Sequence, residues 1–97
     1  MVKVVLASAL ARWLSGEERG ERGEIVLEVE AGSLDQALAR VFALHPGMRG
    51  YVLDDAGVVR HHVAVFVDGH AIGDKRSLAV PLAPGAEVYL MQALSGG

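Results

Sequence analysis

Residues Glu24 to Phe42 constrain the fold of this chain more tightly than any other stretch. Along Glu24-Ile25-Val26-Leu27-Glu28-Val29-Glu30, Ile25, Leu27 and Val29 share one phase of a period-two alternation and Glu24, Glu28 and Glu30 the other. That is the pattern of a strand with one buried face. Ala31-Gly32 then turns the chain, and Ser33-Leu34-Asp35-Gln36 has the form of a capping box ahead of a helix. Leu34, Ala37, Leu38, Val41 and Phe42 follow at helical spacing and make one apolar stripe. A half-wet strand that hands over directly to a half-dry helix buries both dry faces by packing the helix on the strand's own sheet.

The remaining segments supply that sheet. Val2 to Ala7 reads as a strand with Val2, Val4 and Leu6 inward and Lys3 outward. Ala9 to Leu14 suits a turn of helix, with Trp13 and Leu14 closing one end of the core. Ser15 to Gly23 is a charged, glycine-punctuated loop of alternating sign, a solvated connection. His45-Pro46-Gly47 ends the main helix, and Pro46 suits the first turn of a second, short one through Leu53, with Met48, Tyr51 and Val52 on its apolar side. After a turn at Asp54-Asp55-Ala56-Gly57, Arg60 to Gly69 reads as a strand closing on a hairpin Asp-Gly, with Val63, Val65 and Val67 inward and Ala64 and Phe66 outward. His70 to Ile72 is a short return strand, Leu78 to Leu82 an irregular bridge, and Gly85 turns into a final strand through Val88 to Met91. The sequence therefore predicts a single α+β domain over 1–97 with a mixed sheet of four to five strands. One main helix and a short second helix pack on one face, the first and last strands lie side by side and parallel, and 93–97 form a flexible tail.

Composition removes several function classes. Nine basic and twelve acidic residues give a net charge of −3, and no stretch concentrates Lys and Arg, which disfavours nucleic acid as a partner. There is no cysteine, so disulfides, thiolate zinc, iron–sulfur clusters and a sulfur nucleophile on a side chain are all excluded; this fits a cytoplasmic protein. Met1 to Leu14 mimics a signal peptide weakly, but its apolar run is short and broken by Arg12, and nothing approaches the ~20 apolar residues of a membrane span. His61 and His62 are adjacent, so on a strand they point to opposite faces, and with His45 and His70 they offer no metal-ligand spacing. Asp54 and Asp55 sit in a turn and do not read as a catalytic pair.

The chain resembles the ubiquitin-like sulfur carriers of the MoaD/ThiS type. The likeness rests most specifically on His62-Val63-Ala64-Val65-Phe66-Val67-Asp68-Gly69, on Pro84-Gly85-Ala86-Glu87-Val88 leading into the last strand, and on the ending Ala93-Leu94-Ser95-Gly96-Gly97. Its length and the extra turn around Asp54 to Val59 resemble the longer carriers that serve a cysteine synthase; Met91-Gln92-Ala93 departs from the family, which often has a proline there. The resemblance implies a β-grasp fold and a protein that is not itself an enzyme. It implies that the Gly97 carboxylate, with Gly96 as its spacer, is adenylated by an E1-like partner using ATP. That acyl end then becomes a thiocarboxylate, which donates sulfur to a downstream synthase in cofactor (molybdopterin-type) or cysteine biosynthesis.

Glycine suits such an end, because a chain without Cβ threads a narrow tunnel that other residues cannot. Ordering the tail on docking costs of order 1–2 kcal/mol per residue, so the folded body has to supply affinity. Phe66, Tyr89 and Met91 fall on the outward phase of their strands and, with Leu94, make a candidate partner-binding patch beside the tail; Phe66 and Tyr89 also suit a plain cross-strand pair. No catalytic side chain, bound cofactor or metal is expected. Two other readings compete: a protein modifier joined through Gly97 to target lysines, for which this chain offers only Lys3 and Lys75 as acceptors on itself, and a non-catalytic interaction module with incidental glycines.

Overall fold

The computed structural model describes residues 1–12, 14 and 19–92. Trp13, the 15–18 part of the charged loop and the whole 93–97 tail lie outside the described residues, and with them the expectations for Leu94, Gly96 and Gly97. The chain runs β1 (Val2–Leu6), α1 (Ser8–Ala11), β2 (Ile25–Val29), α2 (Leu34–Leu44), α3 (Gly47–Val52), β3 (Val63–Val67), β4 (His70–Ala71) and β5 (Glu87–Gln92). These strands form one five-stranded sheet in the order β2-β1-β5-β3-β4. β1 and β5 pair in parallel at its centre, and the other neighbours are antiparallel.

The period-two phases fall as the sequence predicts. Val2, Val4 and Leu6 from β1, Ile25, Leu27 and Val29 from β2, Val63 and Val65 from β3, and Val88 and Leu90 from β5 are buried in one core with Leu34, Ala37, Leu38 and Val41 of α2. Met48 and Val52 of α3 join them, as do Leu10 and Ala11 of α1. Val67 and Phe42 are only half-buried, at the margin.

Helix α2 begins where the capping chemistry says. Ser33 Oγ accepts from the Gln36 amide at 3.4 Å, and the Asp35 carboxylate accepts from the same amide at 2.9 Å. Gln36 Oε1 reaches back one residue beyond the cap, to the Gly32 amide at 2.8 Å. The irregular bridge completes this end: the amides of Leu34 and Asp35 donate to the carbonyls of Val80 and Leu78 at 2.8 and 2.9 Å. Three amides that a helix start leaves without internal acceptors are thus satisfied. The bridge is therefore part of the helix cap.

One expectation is corrected. Arg60 to His62 are not strand; β3 starts at Val63. The backbone groups of this segment are taken elsewhere: the Arg60 amide donates to Val52 O at 2.9 Å, and Lys75 Nζ donates to the carbonyls of Arg60 and His61, both at 3.2 Å. His61 and His62 sit in a turn instead, with ring centroids 5.7 Å apart, so they are not separated by a sheet. The β3–β4 hairpin closes on Asp68 (φ 50°) and Gly69 (φ 83°), the double left-handed turn that Asp-Gly favours.

The outward sheet face as candidate functional site

Strand register decides what the solvent-facing side of the sheet presents. Val5 is opposite Val26 in β2 and opposite Tyr89 in β5; Tyr89 is opposite Phe66 in β3, and Phe66 is opposite Ala71 in β4. Partners directly opposite each other point to the same face. Val26, Val5, Tyr89, Phe66 and Ala71 therefore form an unbroken apolar row across all five strands, about 19 Å long at the usual inter-strand spacing. Tyr89 and Phe66 are half-buried, Val5 is covered by its neighbours, and Val26 is 50% exposed.

The rows on either side differ. Toward the start of β5, Lys3 lies opposite both Glu28 and Glu87, a charged row. Toward its end, Met91 lies opposite Ala64, and both are half-buried. β5 is clasped at its start, where Asp68 and Glu87 exchange two hydrogen bonds: the Asp68 amide to Glu87 O at 2.8 Å and the Glu87 amide to Asp68 Oδ1 at 2.9 Å. At its far end it runs through Met91 and Gln92 toward the tail. A depression of about 300 Å³ adjoins the row there, with Val5, Ala7 and Tyr89 as its apolar wall and Ser8, Arg22 and Glu24 as its polar rim.

Three of the expected partner-binding residues, Phe66, Tyr89 and Met91, are therefore brought together on one face; Leu94 lies outside the described residues. Phe66 and Tyr89 are also the cross-strand pair that the sequence allowed. Sequence reading missed Val5, Val26 and Ala71, which extend the patch to both sheet edges, and Arg22 and Glu24 at its rim. The signal was present for two of them: Val5 and Val26 are apolar residues on the phase shared with Lys3 and with Glu24 and Glu28.

Concavity alone points elsewhere. A larger hollow, about 450 Å³, lies between the end of α2 and α3, lined by Leu44, His45, Pro46, Met48 and Tyr51 among others. It is on the helix side, away from the outward row. His62 makes an edge contact with Tyr51, with ring centroids 5.6 Å apart, and among the described residues no three His, Cys, Asp or Glu side chains converge on a metal-sized site. Asp54 Oδ1 accepts from the amides of Ala56 and Val58 at 2.9 and 3.0 Å, the work of a turn residue. Among the described residues no helix is long and apolar enough to cross a membrane.

Comparison with solved structures places this architecture. The SAMP1 protein of Haloferax volcanii is 26% identical, with 99% of this chain and 98% of that chain covered and a TM-score of 0.70. CysO of Mycobacterium tuberculosis superposes over 97% of this chain and 100% of its own with a TM-score of 0.76 at 18% identity. The BexX/CysO complex of Amycolatopsis orientalis gives a TM-score of 0.75 at 17% identity, with both chains fully covered. The chain has the ubiquitin-like β-grasp fold. No protein-family model and no curated protein matches its sequence. The β-grasp body is thus matched end to end by small proteins of its own size, one of which is described as a modifier protein and another as part of a complex with a second protein.

Proposed function

We propose that this protein is a sulfur carrier whose reactive group is the Gly97 carboxylate and whose body is a recognition handle. The observation that carries this reading is the placement of β5. The strand that runs into Gly96-Gly97 is central in the sheet, and its outward side chains, Tyr89 and Met91, belong to the apolar face that extends from edge to edge. A partner enzyme that grips this face holds the strand end at Met91 and Gln92, five residues of chain short of Gly97. A free carboxylate resists nucleophiles because it is charged. In the proposed cycle a Gly97 oxygen attacks the α-phosphorus of ATP held by the partner, and pyrophosphate leaves. A hydrosulfide-level nucleophile then adds to the acyl carbon, the bond from that carbon to the AMP oxygen breaks and AMP leaves with its electron pair, a proton is released, and a thiocarboxylate remains. No side chain of the β-grasp body takes part in bond making. Its contribution is affinity that offsets the ordering of the tail, of order 1–2 kcal/mol per residue fixed. The accepting synthase then receives sulfur from the thiocarboxylate.

A second reading has its own support. The 26% identical neighbour over nearly the full chain is a modifier protein by name, so Gly97 joined to target lysines is the alternative outcome of the same activation. Intact-mass measurement after incubation with the host's E1-like enzyme, ATP and a sulfide source tests the carrier reading: one oxygen is expected to be exchanged for one sulfur at the terminus. An unchanged mass with active enzyme refutes it, and tail-derived branches on lysines of other proteins establish the modifier reading instead. Deleting Gly97 is expected to leave the fold intact and end both activities.

A further inference from the structure

With no cysteine in the chain, its only sulfur atoms belong to three methionines, and these occupy three different settings. Met48 lies in the core at 1% exposure, and Met1 is 61% exposed at the start of the chain. Met91 is half-buried on the outward face, in the strand that leads to the tail. Ala64 of β3 stands directly opposite it. On its other side, the Ala7 amide donates to Leu90 O at 2.9 Å. That bond carries the parallel register of Leu6 with Leu90 one residue further and sets Ala7 beside Met91. Both lateral neighbours are therefore alanines, whose single methyl groups do not rise high enough above the sheet to cover a thioether. The Met91 sulfur is open to small molecules, while the apolar row begins two residues back at Tyr89.

We propose that Met91 is a reversible oxidation site, modified by hydroperoxides, whose state sets how well the outward face is gripped. The proposal rests on the carrier reading, in which a partner enzyme covers that face. In the oxidation step a sulfur lone pair attacks one peroxide oxygen and the O–O bond breaks. The proton on the transferred oxygen passes to the departing one, which leaves as water or an alcohol. Sulfur loses two electrons, the peroxide gains them, and Met91 becomes a sulfoxide. The new S=O group is polar and accepts hydrogen bonds. Water serves it in the free protein, and the core on the other side of the sheet is untouched. Under a partner surface shaped for apolar contacts it is buried without a donor, which is unfavourable. Oxidation thus weakens docking and leaves the Gly97 carboxylate unaltered. A thiol-dependent sulfoxide reductase restores the thioether: the oxygen leaves as water and two thiols become a disulfide. Neither other methionine has this effect. Met48 is shielded by the core, and Met1 is at the opposite end of the sheet from Met91 because β1 and β5 run parallel.

The test treats the whole protein with hydrogen peroxide, removes the peroxide, and follows both the site and its consequence. Trypsin cuts after Lys3, Arg40, Arg49 and Arg76, which puts the three methionines in separate peptides. The peptide 77–97 is expected to become one oxygen heavier while 41–49, with Met48, stays unmodified in the folded protein. Pyrophosphate release with the host's E1-like enzyme then reads docking. On oxidation kcat/KM is expected to fall at least about tenfold, through KM with kcat kept, and to recover after reductase treatment. Met91→Leu, compared only with itself, is expected to give the same kcat/KM before and after peroxide, although Met1 is still oxidised in it. A peptide 77–97 that gains no oxygen overturns the proposal. So does a kcat/KM that stays within about threefold when Met91 is fully oxidised, or a Met91→Leu variant that loses as much on treatment as the wild type. Untreated protein that the active enzyme does not adenylate refutes the carrier reading, and the switch falls with it.

Discussion

Truncating Tyr89 to alanine separates the two roles that the outward row can have. Tyr89 is half-buried, stands between Val5 and Phe66, and has its backbone in the central strand. Its neighbours on the sheet are aromatic and β-branched, and each such cross-strand contact is worth roughly 0.2–1 kcal/mol over alanine, so Tyr89→Ala is expected to cost about 1 kcal/mol of stability. In a domain of this size that lowers Tm by about 5 °C. A buried aromatic at the centre of a protein interface costs far more, roughly 2 kcal/mol or above when truncated, which is about 30-fold in affinity. The expected result is therefore asymmetric: kcat/KM for adenylation of the protein falls about 30-fold, through KM, while kcat is kept because the tail is unaltered. Pyrophosphate release at saturating ATP reads the kinetics, and urea titration reads the stability. Tyr89→Phe keeps the ring and should retain most of both. If Tyr89→Ala loses the expected stability yet its kcat/KM stays within about threefold of wild type, Tyr89 is only the cross-strand partner of Phe66, and the recognition role of the face fails.

Other substitutions probe the scaffold. Leu90→Ala removes a fully buried side chain from the central strand and should cost about 2–5 kcal/mol in urea unfolding. Ser33→Ala removes the hydroxyl cap of α2 and should cost about 1 kcal/mol, toward the lower end because the Asp35 carboxylate accepts from the same amide. Gly69→Val puts a β-branched residue at φ 83° and should destabilise the hairpin by about 1–2 kcal/mol, visible as faster amide exchange at Val67 and His70.

Much of this architecture was legible because it is written locally. The alternation from Glu24 to Glu30 and the stripe from Leu34 to Val41 are fixed by which residues share a face, and that depends only on spacing within one element. The outward row was half legible. Phe66, Tyr89 and Met91 follow from the phase of their own strands, but their union with Val5, Val26 and Ala71 depends on register between strands distant in sequence. Arg60 to His62 failed for a different reason. Their composition suits a strand, but their backbone groups are used outside the ladder: a lysine fourteen or fifteen residues away donates to the carbonyls of Arg60 and His61, and the Arg60 carbonyl also accepts from the Val63 amide in a turn.

The parallel pairing of β1 with β5 couples completeness to competence. These are the two strands farthest apart in sequence, yet they are neighbours in the middle of the sheet, so a chain cut short before Glu87 leaves β1 and β3 with bare inner edges and an open core. In the proposed cycle, an enzyme that reads the outward row across β1, β5 and β3 thereby reads a certificate that the polypeptide was made through to the last strand.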